Sequence, residues 1–255
     1  MDLDTFVSGI VFGYLLVFAR LGSAMLFMPA FGETQIPTTS RLAFALVLSL
    51  ALYPIIPTPS RAPTEAGPMF IMLGSEITVG LWIGLSGRVL LSAMQFAGSQ
   101  VGQVTGLANA FGPSLGSFEG ATLMATFLLV GTVALMFLMD IHHIILRALI
   151  ESYAIFPPGP LMLGDMAEQM VKVGGHSLYI GTAIAAPFFV MGVILNLGMG
   201  LANRMMPQLP VFFVGAPLLI IVGFLIFAAA APSMFEFFLA DFVEWFGRLR
   251  FITLP

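Results

Sequence analysis

The chain has 255 residues, of which 59% are hydrophobic and only 9% charged, with a formal net charge of −4 and no cysteine. About 25% of residues in an ordinary soluble domain are charged, so soluble, disordered and collagen-like proteins are excluded. The acidic balance excludes a nucleic-acid binder, and the lack of cysteine excludes disulfides and thiolate metal sites. An all-α, polytopic membrane protein remains, and the 27 Gly and 17 Pro predict broken or closely packed helices.

Six apolar stretches between charged residues are candidate membrane spans, because a helix crossing the hydrocarbon needs roughly 20 apolar residues. They lie at about 5–30, 42–57, 69–94, 121–146, 177–203 and 211–231. The second is short and ends in Pro54 and Pro57, so it is the least able to span alone. Asp2 and Asp4 precede the first stretch, where a signal peptide needs positive charge.

The Lys and Arg side chains between the spans indicate an orientation. With alternating spans, one side carries Arg61, Arg147, Lys172, Arg248 and Arg250, and the other carries Arg41 and Arg204. The imbalance favours both termini in the cytoplasm.

Four charged residues fall inside the predicted spans: Arg20, Glu76, Arg88 and Asp140. Each is costly in lipid and is expected to face protein or water. Arg20 and Glu76 lie in different spans, so they can form a structural pair; a proton relay is the alternative. His142 and His143 are adjacent, so they are expected to point to different helix faces and not to form a metal pair.

The segment 95–120 carries no charge until Glu119, yet it is too polar for a lipid-facing helix. Glycines recur every fourth residue in two runs, Gly98, Gly102 and Gly106, then Gly112, Gly116 and Gly120. The two runs are out of phase, and Pro113 is expected to break the helix just after Gly112. One interpretation is a close helix–helix seam; the other is a re-entrant or plug loop lining a cavity, where irregular backbone is tolerated at membrane depth.

The segment 203–210 is predicted to be the turn of an antiparallel helical hairpin, 177–203 against 211–231. Its residues include Asn203, Arg204, Pro207, Gln208 and Pro210, and the prolines end the helices. Pro187 and Pro217 are expected to kink the two arms.

The tail 233–251 is predicted to be a separate amphipathic helix. Ser233 and Glu236 form a capping-box pattern directly after Pro232. Aromatic and aliphatic residues then recur at helical spacing, opposite the charged residues. This helix suits either a membrane surface or a partner's groove.

The sequence contains none of the common catalytic signatures: no phosphate-binding loop, nucleophile elbow, zinc-protease motif or dinucleotide fingerprint. We therefore predict no catalytic, cofactor-binding or metal-binding residues, and any energy source must lie in other proteins.

Three segments in order resemble the FliR family of flagellar export-gate proteins and their type III secretion relatives. They are RLGSAMLFMPAFGETQIPTTSRLAFALVLSLALYP at 20–54, GSQVGQVTGLANAFGP at 98–113 and NRMMPQLPVFFVGAPLLIIVGF at 203–224. The resemblance covers nearly the whole chain. It implies a helical N-terminal part, 1–170, similar to FliP and including the plug segment 95–120; a C-terminal hairpin, 171–232, similar to FliQ; and an amphipathic tail, 233–255.

The resemblance also implies a location and partners. One copy joins several FliP-like and FliQ-like subunits in a screw-like gate of the bacterial inner membrane, at the flagellar basal body, beside FlhB-like and FlhA-like proteins. Unfolded flagellar subunits pass through it. The expected plug residues are Gly98, Gly102, Gly106, Leu107, Phe111, Gly112, Leu115 and Gly116.

Two other functions compete with a gate subunit. An ion-coupled secondary transporter would use Arg20, Glu76 and Asp140, but transporters usually show two related halves, and 95–120 has no counterpart in 170–231. An intramembrane enzyme lacks a recognisable acid pair, metal motif or nucleophile.

Overall fold

The computed structural model describes residues 3–33, 36–57, 59, 63–106, 119–159, 162–206 and 211–247. Every regular element within these ranges is a helix, which confirms the all-α class. The helices are α1 Leu3–Phe27, α2 Thr38–Leu52, α3 Ala66–Val104, α4 Glu119–Leu138, α5 Ile141–Ile155, α6 Leu163–Met205 and α7 Val211–Gly247.

Four helical stretches are long and apolar enough to cross a membrane, which confirms a polytopic protein. They are Phe6–Phe27, Ala66–Val104, Leu163–Met205 and Pro217–Gly247, and the bent pair α4–α5 would make a fifth. Helix α2 has 15 residues, about 22 Å at 1.5 Å per residue, which is shorter than the roughly 30 Å of hydrocarbon. The expectation that 42–57 does not span alone agrees with this length.

Two of the long helices extend well beyond their predicted bounds. Helix α3 has 39 residues and α6 has 43, or about 58 and 64 Å. From the sequence, α3 was predicted to end at 94 and α6 to begin at 177, because the prediction considered only stretches long enough to cross a membrane. Their continuation is polar enough to be missed by hydropathy yet contains no residue that stops a helix.

The predicted span 121–146 is not one continuous helix. The helix breaks between α4 and α5, which meet at a bend of 78°. Asp140 lies at the break with φ 58°, in the left-handed region. Asp is among the few residues that visit this region as single positions. No Gly or Pro marks the break, so the sequence pattern gave no sign of it.

The predicted helix start at Ser233 is also wrong. Helix α7 runs without interruption from Val211 to Gly247, through Pro217 and Pro232. A proline removes one helical hydrogen bond and usually kinks or ends a helix. Here Met234, Phe238 and Phe242 are buried on one face after Pro232, so packing offsets the lost bond and continues the helix.

The chain forms two compact units, each built from separate stretches of sequence. Unit 1 comprises Met1–Leu90, Met136–Val173 and Val243–Pro255, and unit 2 comprises Leu91–Leu135 and Gly174–Phe242. The three-part division at 170 and 232 stays a prediction.

In unit 1, glycines bring α1 and α3 into backbone contact. A Cβ atom at Gly80 would overlap the carbonyl oxygen of Arg20, and one at Gly84 would overlap the carbonyl of Ala24. Glu76 lies one turn before Gly80, on the same helix face. The close approach at Gly80 therefore places the Glu76 carboxylate beside the Arg20 side chain.

In unit 2, glycines make similar seams among the helices. The pairs that would collide if a Cβ were added are Gly98 with Ala125, Gly181 with Ala93, Gly192 with Val104 and Gly223 with Thr105. Small residues at such positions let helices approach closely in membrane proteins. Unit 2 therefore contains several positions where helices approach closely at a glycine.

Candidate functional site

The innermost feature of unit 1 is a bidentate ion pair. Arg20 Nε donates to Glu76 Oε2 at 2.7 Å, and Arg20 Nη2 donates to Glu76 Oε1 at 2.7 Å. Both side chains are 0% exposed. The planar guanidinium fork matches a carboxylate in this geometry, which lysine cannot reproduce. The expected pairing of these two residues is present.

Three groups on and after α5 complete the surroundings of Arg20. Its Nη1 donates to Ser152 Oγ at 3.2 Å, and its Nη2 donates to the carbonyl of Phe156 at 2.7 Å. The guanidinium carbon lies 3.8 Å from the centre of the Tyr153 ring. One side chain thus joins α1, α3 and α5. We call Arg20, Glu76, Ser152, Tyr153 and Phe156 the arginine cluster, and its full hydrogen bonding favours structural pairing over a proton relay.

The second predicted intramembrane arginine is also paired. Arg88 Nη1 lies 2.5 Å from Glu33 Oε1, and the Glu33 side chain is nearly buried. The Glu33 carbonyl oxygen also accepts a bond of 2.9 Å from Arg41 Nη2. Sequence reasoning missed Glu33, because it follows α1 in a connecting segment 55 positions from Arg88.

Asp140, the fourth predicted intramembrane charge, was expected to face protein or water and lies at the surface of the protein. Its side chain is 76% exposed, and His142 and His143 turn toward it. The rings of the two histidines lie 4.1 Å apart, so the expectation that they point to different faces is wrong. Helical side chains lean toward the N terminus, which brings both rings back over the residue that precedes α5.

The described part of the segment 95–120 belongs to a seam. Gly98 meets α4 at Ala125, and Gly102 is buried. Helix α3 ends at Val104, and Gly106 follows with φ 73°, in the left-handed region where glycine carries no Cβ penalty. The other expected plug residues, Leu107, Phe111, Gly112, Leu115 and Gly116, lie outside the described residues.

Of the predicted hairpin turn, Asn203 and Arg204 are described and exposed at the end of α6. Arg204 lies in the last helical turn, where a positive charge is favourable. Pro207, Gln208 and Pro210 lie outside the described residues.

Unit 2 contains one pair of titratable groups that sequence reasoning missed. His176 Nε2 lies 2.8 Å from Asp241 Oδ2, and both side chains are about one-fifth exposed. The two residues are 65 positions apart, on α6 and α7. Each stood alone in an apolar stretch, so no spacing connected them.

Long apolar helices, glycine seams and a buried arginine–glutamate pair define a polytopic membrane protein of the all-α class. Comparison with known proteins then gives the family. Residues 11–245 match the family described as bacterial export proteins, family 1, and the chain belongs to this family.

Individual relatives agree with this assignment. The flagellar biosynthetic protein FliR of Caulobacter vibrioides is 33% identical over 221 residues, 86% of this chain and 88% of that one. FliR of Bacillus subtilis is 28% identical over 230 residues, 87% of each chain. The secretion system apparatus protein SsaT of Salmonella typhimurium is 27% identical over 217 residues, 80% of this chain and 82% of that one.

The resemblance identified from the sequence is therefore confirmed, as is the function of a subunit of the flagellar type III protein export gate. The chain is a membrane-embedded component of the export apparatus.

Proposed function

We propose that this chain assembles with FliP-like and FliQ-like subunits in the bacterial inner membrane, at the flagellar basal body. FlhB-like and FlhA-like proteins are the proposed neighbours, and unfolded flagellar subunits are the proposed cargo. In this proposal residues 1–170 correspond to a FliP-like part, 171–232 to a FliQ-like hairpin and 233–255 to a tail. The chain itself carries no catalytic activity, and other subunits supply the energy.

The observation that supports partner subunits is the outer face of α6. Large apolar side chains are exposed from Leu163, at 62%, to Leu201, at 63%. The 38 residue steps between them cover about 57 Å of helix, whereas the hydrocarbon is roughly 30 Å thick. Tilt within the usual range does not close that gap. Since lipid covers only part of this face, neighbouring protein chains are the proposed cover for the remaining apolar side chains.

The second part of the proposal concerns a plug. Gly98 holds the start of the segment against α4, and Gly106 redirects the chain where α3 ends. The following residues, Leu107, Phe111, Gly112, Leu115 and Gly116, are proposed to close the resting pore. Apolar side chains exclude water at a constriction, and glycines let the segment move aside.

Co-purification tests the assembly. The chain is expressed alone and together with its FliP-like and FliQ-like partners, and mild-detergent gel filtration compares the products. We expect a stable complex only on co-expression. Ile194→Glu places a charge on the exposed apolar face of α6 and should abolish the complex.

The control is Glu168→Ala, at an exposed polar position on the same helix, which should leave the complex unchanged. A monodisperse, protease-resistant monomer obtained from the chain alone would contradict the proposal.

A further inference from the structure

The break between α4 and α5 gathers three side chains that are common metal ligands. Asp140, His142 and His143 each present one ligand atom, and these three atoms lie within 4.8 Å of one another. Asp140 Oδ1 is 4.0 Å from His142 Nε2 and 3.5 Å from His143 Nδ1. A carboxylate and two imidazoles are the donor set of many zinc sites.

Local structure fixes the ring of His142. It packs on Phe137, with ring centres 5.2 Å apart, and Phe137 in turn contacts Phe31. The His142 Nδ1 atom is buried with no hydrogen-bond partner among the described residues. The accessible ligand atom is therefore Nε2, which faces Asp140.

The backbone at Asp140 gives an independent reason to expect a role. Its φ of 58° is left-handed, and its side chain does not cap α5. A non-glycine residue in this region carries strain, which the surrounding structure must offset. This conformation places the Asp140 side chain beside both histidines.

We propose that Asp140, His142 and His143 bind one divalent transition-metal ion of the zinc class, with water in the remaining positions. Zinc bonds to nitrogen and carboxylate oxygen are about 2.0–2.2 Å long, so ligand atoms in a tetrahedral site lie about 3.4 Å apart. The observed separations reach this value by small rotations of exposed side chains. The bound ion ties Asp140, the last residue before α5, to the first turn of α5.

The composition of the chain makes this site simple to test. The sequence contains three histidines, so His176 is the only other imidazole. Zinc chloride is titrated calorimetrically into the co-purified complex containing wild-type chain or a variant. Wild type should bind one more equivalent of zinc per copy of this chain than the variant His143→Ala.

Two further variants remove doubt about folding. Asp140→Asn keeps a residue that tolerates the left-handed region while removing the charged ligand, and should weaken zinc binding at least about tenfold. His176→Gln is the matched control and should bind as wild type does. Both ligand positions are exposed, at 76% for Asp140 and 69% for His143, so assembly should be unchanged. Equal zinc stoichiometry and affinity in wild type, His143→Ala and Asp140→Asn would overturn the proposal, as would an equal loss in His176→Gln.

Discussion

Arg20 and Glu76 are 56 positions apart, yet two hydrogen bonds of 2.7 Å join them in a site with no exposed surface. Removing one member of a buried ion pair leaves an uncompensated charge, which costs about 3–5 kcal/mol. Replacing both members by apolar residues often costs little. The arginine cluster therefore allows a test that separates a structural role from proton transfer.

The first prediction is that Arg20→Ala lowers the yield of assembled complex strongly, and Arg20→Lys lowers it less. Lysine keeps the charge but not the bidentate geometry. The double variant Arg20→Met with Glu76→Leu should recover much of the yield. Gel filtration and thermal melting of the complex measure the effect.

A matched control lies on α5. The pair Arg147–Glu151 is exposed, with Arg147 at 81%, and exposed pairs contribute about 0.2–1 kcal/mol. Arg147→Ala should therefore assemble like wild type. Equal assembly of wild type, Arg20→Ala and Arg20→Lys would contradict a buried structural role.

The second prediction concerns the glycine seam of unit 2. Gly98→Ala should destabilise the protein, because the added Cβ would lie 2.6 Å from the Ala125 Cα. Gly74→Ala on the same helix meets nothing within 4 Å and should be neutral or stabilise by about 0.5–1 kcal/mol. The measurement is the melting temperature of each variant in detergent. An equal change in both variants would contradict a close helix contact at Gly98.

The third prediction separates the plug from the seam. Deleting residues 107–115 should leave assembly intact and make the membrane leaky to small ions, because the deletion starts after the seam residue Gly98 and the turn at Gly106. Complex yield and membrane conductance are measured on the same deletion. Intact assembly with wild-type conductance would exclude the plug, and loss of assembly would extend the seam into this segment.

The fourth prediction concerns backbone strain at Asp140. Without added zinc, Asp140→Gly should raise the melting temperature, since glycine relieves a left-handed conformation worth about 1–2 kcal/mol, and no cap is lost. Asp140→Ala should lower it. If glycine and alanine have the same effect, the conformation at this position carries no strain.

A feature could be predicted from the sequence when the residues near it in the chain carried the information. Arg20 stood out as a lone charge in an apolar stretch, and Glu76 was the matching charge in another. Glu33 was missed because a carboxylate in a connecting segment looks like an ordinary surface residue until its burial is known. The predictions of helix breaks were wrong in both directions. Asp140 breaks a helix without a neighbouring Gly or Pro, whereas Pro232 does not break one. In both cases tertiary packing outweighs local propensity.

The hydrogen-bond partners of Arg20 are synthesised at different times after it. Glu76 follows it by 56 residues, but Ser152 follows by 132 and the Phe156 carbonyl by 136. At about 5–20 residues per second, the ribosome needs roughly 7–26 s to make the residues between Arg20 and Ser152. During that interval the Arg20 guanidinium can pair with Glu76 but not yet with Ser152 or the Phe156 carbonyl. Early packing of α1 on α3, at the close contact made by Gly80, is thus the step that keeps this charge away from lipid until α5 has been synthesised.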